Sequence, residues 1–190
     1  MDRKDIYDIF PELDWLNDKQ LKEKCADTWL EAISLAKWED KGGFEQMPVV
    51  VSGLSKKCPE TNVSHTRAVT RLAKAMYDEL VEHYPDAGTC DRDTVIAGAV
   101  MHDVGKLLEY DYVDGAYCFA PDHDKFNHPS IGAYLALKHG LPKDVVHIIL
   151  AHSDLMSPGG EKCFQTRESL IVKYADCMAF FYILKYYGRD

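Results

Sequence analysis

An adjacent histidine and aspartate, His102 and Asp103, lie inside the segment AGAVMHDVGKLLEY at residues 97–110. Small and apolar residues surround the pair, so a helix formed here would have no solvated face. A carboxylate without a positive partner carries a large desolvation cost in such surroundings. The sequence therefore predicts that a cation or other polar groups meet Asp103 in the interior of the protein.

Four further residues with metal-ligand chemistry occur among apolar neighbours at helix-like positions: His65, His128, His152 and Asp176. His152 follows Ile148 and Ile149 at helical spacing, which predicts a buried position. Imidazole and carboxylate ligands together suit Fe, Mn, Co, Ni or Zn, whereas Mg is bound mostly through oxygen and is the less suited alternative. The site could hold one or two divalent ions. Six candidate ligands favour two ions, because a single catalytic ion with open positions takes fewer than six protein ligands.

Helical periodicity dominates the elements that must position these residues, and the predicted fold class is all-α. Capping residues, first-turn prolines and apolar spacing predict helices at about 18–38, 61–84, 93–104, 129–139, 142–152 and 167–186. The segment VVVSG at 49–53 is predicted to be extended. The segment 109–127 is polar and contains Gly and Pro, so it is predicted to be a loop.

The bulk composition narrows the class of protein. The chain of 190 residues is long enough for one domain with a sizeable core, and its formal net charge of −9 with no basic stripe argues against binding to polymeric nucleic acid. The start, MDRKDIYDIFPELD, has no apolar signal region, and no window approaches the about 18 apolar residues of a membrane helix. The six cysteines lie far apart and are interpreted as reduced thiols, so we expect a cytoplasmic protein.

The order of the candidate ligands resembles the HD superfamily of metal-dependent phosphohydrolases, which is named after an adjacent His-Asp doublet. HTRAVTRLAKAM is similar to the family's first helix, HDVGK to the doublet, HPSIGAYLA to the third histidine segment and LIVKYAD to the closing aspartate helix. The resemblance covers about residues 60–186. It implies an HD-domain-like helical bundle at 59–190. Residues 1–58 fall outside the resemblance and are predicted to be an N-terminal helical extension, which could pack on the core, form a dimer surface or cover the site.

The resemblance implies two groups of ligands that share Asp103. Those of the first ion are His65, His102, Asp103 and Asp176, and those of the second ion are Asp103, His128 and His152. It also implies catalytic roles for Asp103 and for Lys106, which matches a basic residue that contacts substrate phosphate in relatives. Each residue also has a plainer interpretation: Lys106 could stabilise a helix C-terminus, and the others could be structural ion pairs, caps or hydrogen-bonded core residues.

The activity implied is hydrolysis of a phosphate monoester or diester, in a nucleotide or related small phosphate, by metal-activated water. The branch of the family that cleaves cyclic dinucleotides has a Gly-Tyr-Pro signature after its fourth histidine, whereas this chain has HSDLMSPGGEK, so that activity is not expected. A mixed-valent di-iron oxygenase, a non-catalytic nucleotide-binding sensor and a structural metal site remain as alternatives. The aromatic segment FFYILKYY at 180–187 is compatible with a homodimer.

Overall fold

The computed structural model describes residues 1–38, 43–51, 58–153 and 164–187, and this part of the chain is mostly helical, which confirms the all-α class. Its α-helices are α1 (Arg3–Ile9), α2 (Lys19–Ala36), α3 (Asn62–His83), α4 (Arg92–Met101), α5 (Lys106–Glu109), α6 (His128–Lys138), α7 (Lys143–Ala151) and α8 (Arg167–Tyr187). Short 3₁₀ turns occupy Pro11–Trp15, Phe44–Gln46 and Pro85–Ala87.

The helices begin at the capping residues that the sequence indicates. The side chain of Asp18 accepts hydrogen bonds from the backbone at the start of α2, and Thr61 and Asn127 do the same for α3 and α6. These contacts satisfy backbone N–H groups that have no partner within the first turn. The predicted helices are therefore confirmed to within a few residues at either end.

The prediction of a loop over 109–127 is wrong for its first half. Strands β1 (Tyr110–Val113) and β2 (Ala116–Phe119) form an antiparallel hairpin in which Tyr112 pairs with Tyr117, with ring centroids 4.8 Å apart. The two turn residues, Asp114 and Gly115, have φ values of 51° and 80°. An Asp-Gly pair favours the turn with two positive φ angles that joins hairpin strands, and this local signal outweighs the polar composition.

The prediction of an extended segment at 49–53 is also wrong where the structure describes it. Residues 49 and 50 form bends, residue 51 has no regular structure, and an isolated bridge joins Pro48 to Thr61 just before them. Positions 52 and 53 lie outside the described residues, as does 154–163, which contains most of the segment that lacks the Gly-Tyr-Pro signature.

The N-terminal helices share one hydrophobic core with the later part of the chain. Phe10 packs against Trp29 with ring centroids 4.6 Å apart, and both belong to a buried cluster that also includes residues of α4, α6 and α7. The indole N–H of Trp38 donates to the carbonyl oxygen of Leu107 at 2.7 Å. The N-terminal segment thus directly supports the turn that follows the His-Asp doublet, while the boundary at 58/59 stays a prediction.

A buried ion cluster joins the N-terminal segment to α3. The carboxylate of Glu12 is 1% exposed and lies 3.2 Å from Nε of Arg67 and 2.7 Å from Nε of Arg71. The two guanidinium groups neutralise the buried carboxylate and hydrogen bond to it, which such a charge requires in the interior.

The arrangement of α4, α6 and α7 depends on two glycines without room for a side chain. A Cβ at Gly98 would collide with Ile148 of α7, and a Cβ at Gly105 would collide with the carbonyl of His128 at the start of α6. These close approaches bring the ends of three helices together at the turn 102–105. None of the described helices is long and apolar enough to cross a membrane, and the described cysteines are free thiols.

Candidate metal centre

The structure brings all six predicted ligands together. His65 lies in the first turn of α3, His102 and Asp103 directly follow α4, and His128 begins α6. His152 directly follows α7, and Asp176 lies within α8. Five of them are at most 6% exposed, and the side chain of Asp176 is 19% exposed. In each of two groups, His65, His102 and Asp176 or Asp103, His128 and His152, the ligand atoms lie within 4.8 Å of one another. That they bind metal stays a prediction.

Asp103 lies between the two groups, and its two oxygens face different histidines. Oδ2 is 3.7 Å from Nε2 of His65 and 3.3 Å from Nε2 of His102. Oδ1 is 3.6 Å from Nε2 of His128 and 3.7 Å from Nε2 of His152. These distances exceed the about 2.9 Å of a normal N–H···O hydrogen bond. The carboxylate is therefore surrounded by imidazole nitrogens without being fully satisfied by them.

The rings of His102 and His152 are oriented by backbone carbonyls of the preceding helical turn. Nδ1 of His102 donates to the oxygen of Ala99, and Nδ1 of His152 donates to the oxygen of Ile149, each at 2.7 Å. A carbonyl oxygen only accepts, so Nδ1 carries a proton in both rings, and in the neutral form of either ring the Nε2 lone pair faces Asp103. Nε2 of His102 has no hydrogen-bond partner among the described residues although it is buried.

His65 and Asp176 connect α3 to α8. Nε2 of His65 lies 3.0 Å from Oδ1 of Asp176. Burial lowers the pKa of His65, and the hydrogen bond to Asp176 opposes that effect without cancelling it. Burial raises the pKa of Asp176, but the hydrogen bond from His65 and the nearby His102 outweigh it and hold that pKa at about 2. Asp176 is therefore a carboxylate over the physiological pH range.

Asp103 and Lys106 form a buried ion pair within the turn. Nζ of Lys106 lies 2.6 Å from Oδ2 of Asp103 and donates to the oxygen of Val49 at 3.2 Å. Burial alone would lower the pKa of Lys106, but the charge of Asp103 outweighs it and the pKa is raised. Burial likewise opposes ionisation of Asp103, yet the charges of Lys106 and His102 hold its pKa well below the usual value. The predicted contact of Lys106 with a substrate phosphate stays a prediction.

The sequence reasoning missed Glu109. This residue ends α5 and is 7% exposed, and its Oε2 accepts from Nδ1 of His128 at 2.8 Å while Oε1 accepts from the backbone N–H of His128 at 3.0 Å. The available signal was an acidic residue directly after Leu107 and Leu108, where the apolar segment meets the predicted loop 109–127. Nothing in the sequence pairs it with a residue 19 positions away.

The chemistry of the donors fits a divalent metal. Four imidazoles and two carboxylates form the mixed nitrogen and oxygen set that Fe, Mn, Co, Ni and Zn favour. The unpartnered, buried Nε2 of His102 is a lone pair that a cation would satisfy. The hydrogen bonds on the Nδ1 side of three of the rings are the contacts that commonly fix the orientation of metal-binding histidines.

Comparison with known proteins gives one family and two curated relatives. Residues 62–180 match the HD domain family. The chain is 35% identical over 120 residues to the dihydroneopterin 2',3'-cyclic phosphate phosphodiesterase of Methanocaldococcus jannaschii. This match covers 60% of this chain and 44% of that protein. It is also 34% identical over 89 residues to ribonuclease Y of Acidothermus cellulolyticus, a match that covers 47% of this chain and 14% of that protein. The chain thus spans less than half the length of either relative, and no solved structure gave a significant match.

Proposed function

The chain belongs to the HD domain family, and we propose that it is a metal-dependent phosphohydrolase that cleaves a small phosphate ester, with a phosphodiester of a nucleotide or a related compound as the substrate class. The printed name of the archaeal relative, a cyclic phosphate phosphodiesterase, supports a diester. The printed name of the second relative, a ribonuclease, also refers to phosphodiester cleavage.

The observation that carries this proposal is the position of Asp103 between the two groups of histidines. We propose that Oδ2 belongs to a first ion site, with His65, His102 and Asp176, and that Oδ1 belongs to a second ion site, with His128 and His152. Asp103 would thus help to hold both ions, and a pair of divalent ions is a common arrangement in sites that hydrolyse phosphate esters.

The residues of the chain would prepare the site in two ways. The Nδ1–H groups of His102 and His152 donate to backbone carbonyls, which would keep the Nε2 atoms directed at the ions. Lys106 forms an ion pair with Asp103 and would supply a fixed positive group for the phosphoryl oxygens. A bound divalent ion would supply a water of pKa near 7, where free water has about 15.7, and would offset charge on the phosphoryl group.

We further propose that 59–190 is the catalytic domain and that 1–58 is a packing extension of it. The shared core of Phe10 and Trp29 with α4, α6 and α7 supports this division, since these N-terminal residues bury apolar surface against the helices that carry the ligands. The cytoplasmic location stays a prediction.

We also propose that two copies of the chain associate through an α8 apolar face. Six large side chains that are 42–74% exposed define it: Leu170, Tyr174, Met178, Phe181, Tyr182 and Tyr186. Side chains of this size offer roughly 100 Å² or more each, so the face approaches the about 800 Å² per partner of stable complexes. Light scattering should give twice the chain mass for the wild type and the chain mass for Phe181→Glu. A monomeric wild type would contradict the proposal.

The decisive experiment pairs metal analysis with an assay. Protein purified without chelator is analysed for bound metals and then incubated, with and without oxygen, with bis-p-nitrophenyl phosphate, p-nitrophenyl phosphate and nucleoside 2',3'-cyclic phosphates. We expect up to two ions per chain and oxygen-independent hydrolysis of the diesters. His65→Ala should lose the ion of the first site together with the hydrolysis, whereas His83→Ala, which changes an exposed histidine of the same helix, should keep both the metal content and the hydrolysis.

Three outcomes would contradict the proposal, and each would favour one of the alternatives. Product formation that requires oxygen would favour the di-iron oxygenase. Tight nucleotide binding without turnover of any substrate would favour the sensor. Bound metal with neither turnover nor nucleotide binding would favour a structural metal site.

A further inference from the structure

We propose that Glu109 is a positioning residue that holds His128 in the ring orientation and tautomer needed to bind the second ion. This inference rests on the proposed function, because it deepens the two-ion site, and it assigns a role to a residue that lies outside the set of ligands. Glu109 would act through His128 and would not contact the ion.

The contact between the two residues has two points. One carboxylate oxygen of Glu109 accepts the ring Nδ1–H of His128 at 2.8 Å, and the other accepts the backbone N–H of the same residue at 3.0 Å. Both groups are buried, with side-chain exposures of 9% for Glu109 and 7% for His128. Two bonds from one rigid carboxylate fix the ring relative to its own backbone, which a single contact would leave free to rotate.

This contact leaves Nε2 of His128 available for an ion. A carboxylate only accepts hydrogen bonds, so the shared proton resides on Nδ1 and the Nε2 lone pair faces Oδ1 of Asp103, 3.6 Å away. His102 and His152 are held in the same sense by neutral carbonyl oxygens. A carboxylate is a stronger acceptor than a carbonyl oxygen, so it holds the ring more firmly.

Glu109 is itself fixed by the hairpin and the turn after the doublet. Its backbone oxygen accepts the N–H of Ala120 at 2.9 Å, which ties the end of α5 to the residue after β2. The close approach of Gly105 to His128 places the start of α6 against the same turn. The hairpin therefore closes next to the residue that positions His128, and this gives the β1–β2 element a role at the site.

The test measures bound metal and ring tautomer in four variants. Metal binding is followed by calorimetric titration with Mn²⁺ and by elemental analysis, for wild type, Glu109→Ala, Glu109→Gln and His128→Ala. The matched control is Glu12→Gln, which changes a buried glutamate outside the site. The tautomer of His128 is read from ring ¹⁵N chemical shifts of the metal-free protein at alkaline pH, where the imidazoles are neutral.

We expect Glu109→Ala to weaken the second binding step by about 10- to 100-fold and to leave the first step unchanged. His128→Ala should weaken the same step, and Glu109→Gln should do so less than Glu109→Ala because its amide oxygen can replace one of the two contacts. In the metal-free protein, His128 should be the Nδ1–H tautomer in the wild type and a mixture of tautomers in Glu109→Ala. Glu12→Gln should change neither measurement.

An unchanged second binding step together with an unchanged tautomer in Glu109→Ala would overturn the positioning role and leave the proposed function intact. Loss of both binding steps in Glu109→Ala, but not in Glu12→Gln, would also overturn it, since the effect would then not be confined to the second site. If the wild type binds no metal, the proposed function fails, while the tautomer measurement still decides whether Glu109 positions the ring.

Discussion

Two buried acidic clusters lie against α3, and they are neutralised in different ways. Glu12 has two permanent cations, Arg67 and Arg71, for one carboxylate. Asp103 and Asp176 are two carboxylates whose neighbours are the ammonium group of Lys106 and a set of imidazoles. The first cluster is complete within the protein, whereas the second has more negative than permanent positive charge and is suited to receive a cation.

The imidazoles of His65 and His152 do not remove this imbalance. Burial lowers the pKa values of His65 and His152, so these rings are neutral near pH 7 and add no positive charge to the cluster. Burial opposes the charged form of His102 as well, but Asp103 and Asp176 outweigh it and raise its pKa. The comparison teaches that the partners of a buried acid, more than its burial, distinguish a structural ion cluster from a candidate metal site.

The largest effect is expected for Asp103→Ala, which removes the carboxylate that both groups of histidines share. We expect loss of all bound metal and a fall in kcat/KM of about a thousand-fold or more, because the variant removes a ligand from both sites at once. Elemental analysis and a phosphodiester assay would measure both. A variant with full activity and its full complement of metal would show that the site does not work through Asp103.

The next effect concerns the stability of the metal-free protein. Lys106→Met leaves Asp103 without its cation, and breaking a buried ion pair costs about 3–5 kcal/mol. A bound divalent ion would replace the lost charge, so the fall in Tm should be smaller with excess Zn²⁺ than with EDTA. Thermal unfolding followed by circular dichroism measures both conditions. An equal fall in the two conditions would contradict the idea that metal neutralises this cluster.

Glu12→Gln tests the structural cluster alone. The free energy of unfolding should fall by about 1–3 kcal/mol because a charge-assisted contact is weakened, and the guanidinium groups can turn to solvent. Metal content and activity should match those of the wild type. Urea denaturation measures the stability, and a loss of bound metal in this variant would show that the two clusters on α3 are not separate.

The smallest effect is expected for a surface acid. Lys138 and His139 contact Glu31, and the hydrogen bond from Lys138 lowers the pKa of Glu31 below its ordinary value of 4.5. A lowered folded-state pKa stabilises the protein above pH 4.5, and this contribution is lost as the pH falls through the folded value. At neutral pH, the free energy of unfolding of wild type should exceed that of Glu31→Gln by less than about 1 kcal/mol. Below pH 4.5 this difference should shrink, and thermal or urea unfolding at several pH values measures it. A difference that grows toward acid would contradict this assignment.

The sequence predicts the candidate site well because burial and chemistry conflict at the relevant positions. His102, Asp103 and Asp176 are polar residues in apolar helical segments, and such residues need partners in the interior, so the pattern identifies them without coordinates. Apolar periodicity and capping residues such as Asp18 and Thr61 predict the helices that carry them for the same local reasons.

What the sequence does not predict depends on contacts between distant residues. Glu109 is distinguished from any other acidic residue only by its contact with His128, which forms because Gly105 lets α6 approach the turn. The pairing of Glu12 with Arg67 is of the same kind. The hairpin is a different case, since the Asp114–Gly115 signal is local and outweighs the polar composition on which the loop prediction rested.

Anomalous diffraction from crystals grown with Mn²⁺ tests the central claim most directly. Two peaks are predicted, one beside His65, His102 and Asp176 and the other beside His128 and His152, with the carboxylate of Asp103 between them. A single peak, a peak away from these residues, or no peak in crystals of the active protein would contradict the claim that Asp103 joins two ion sites.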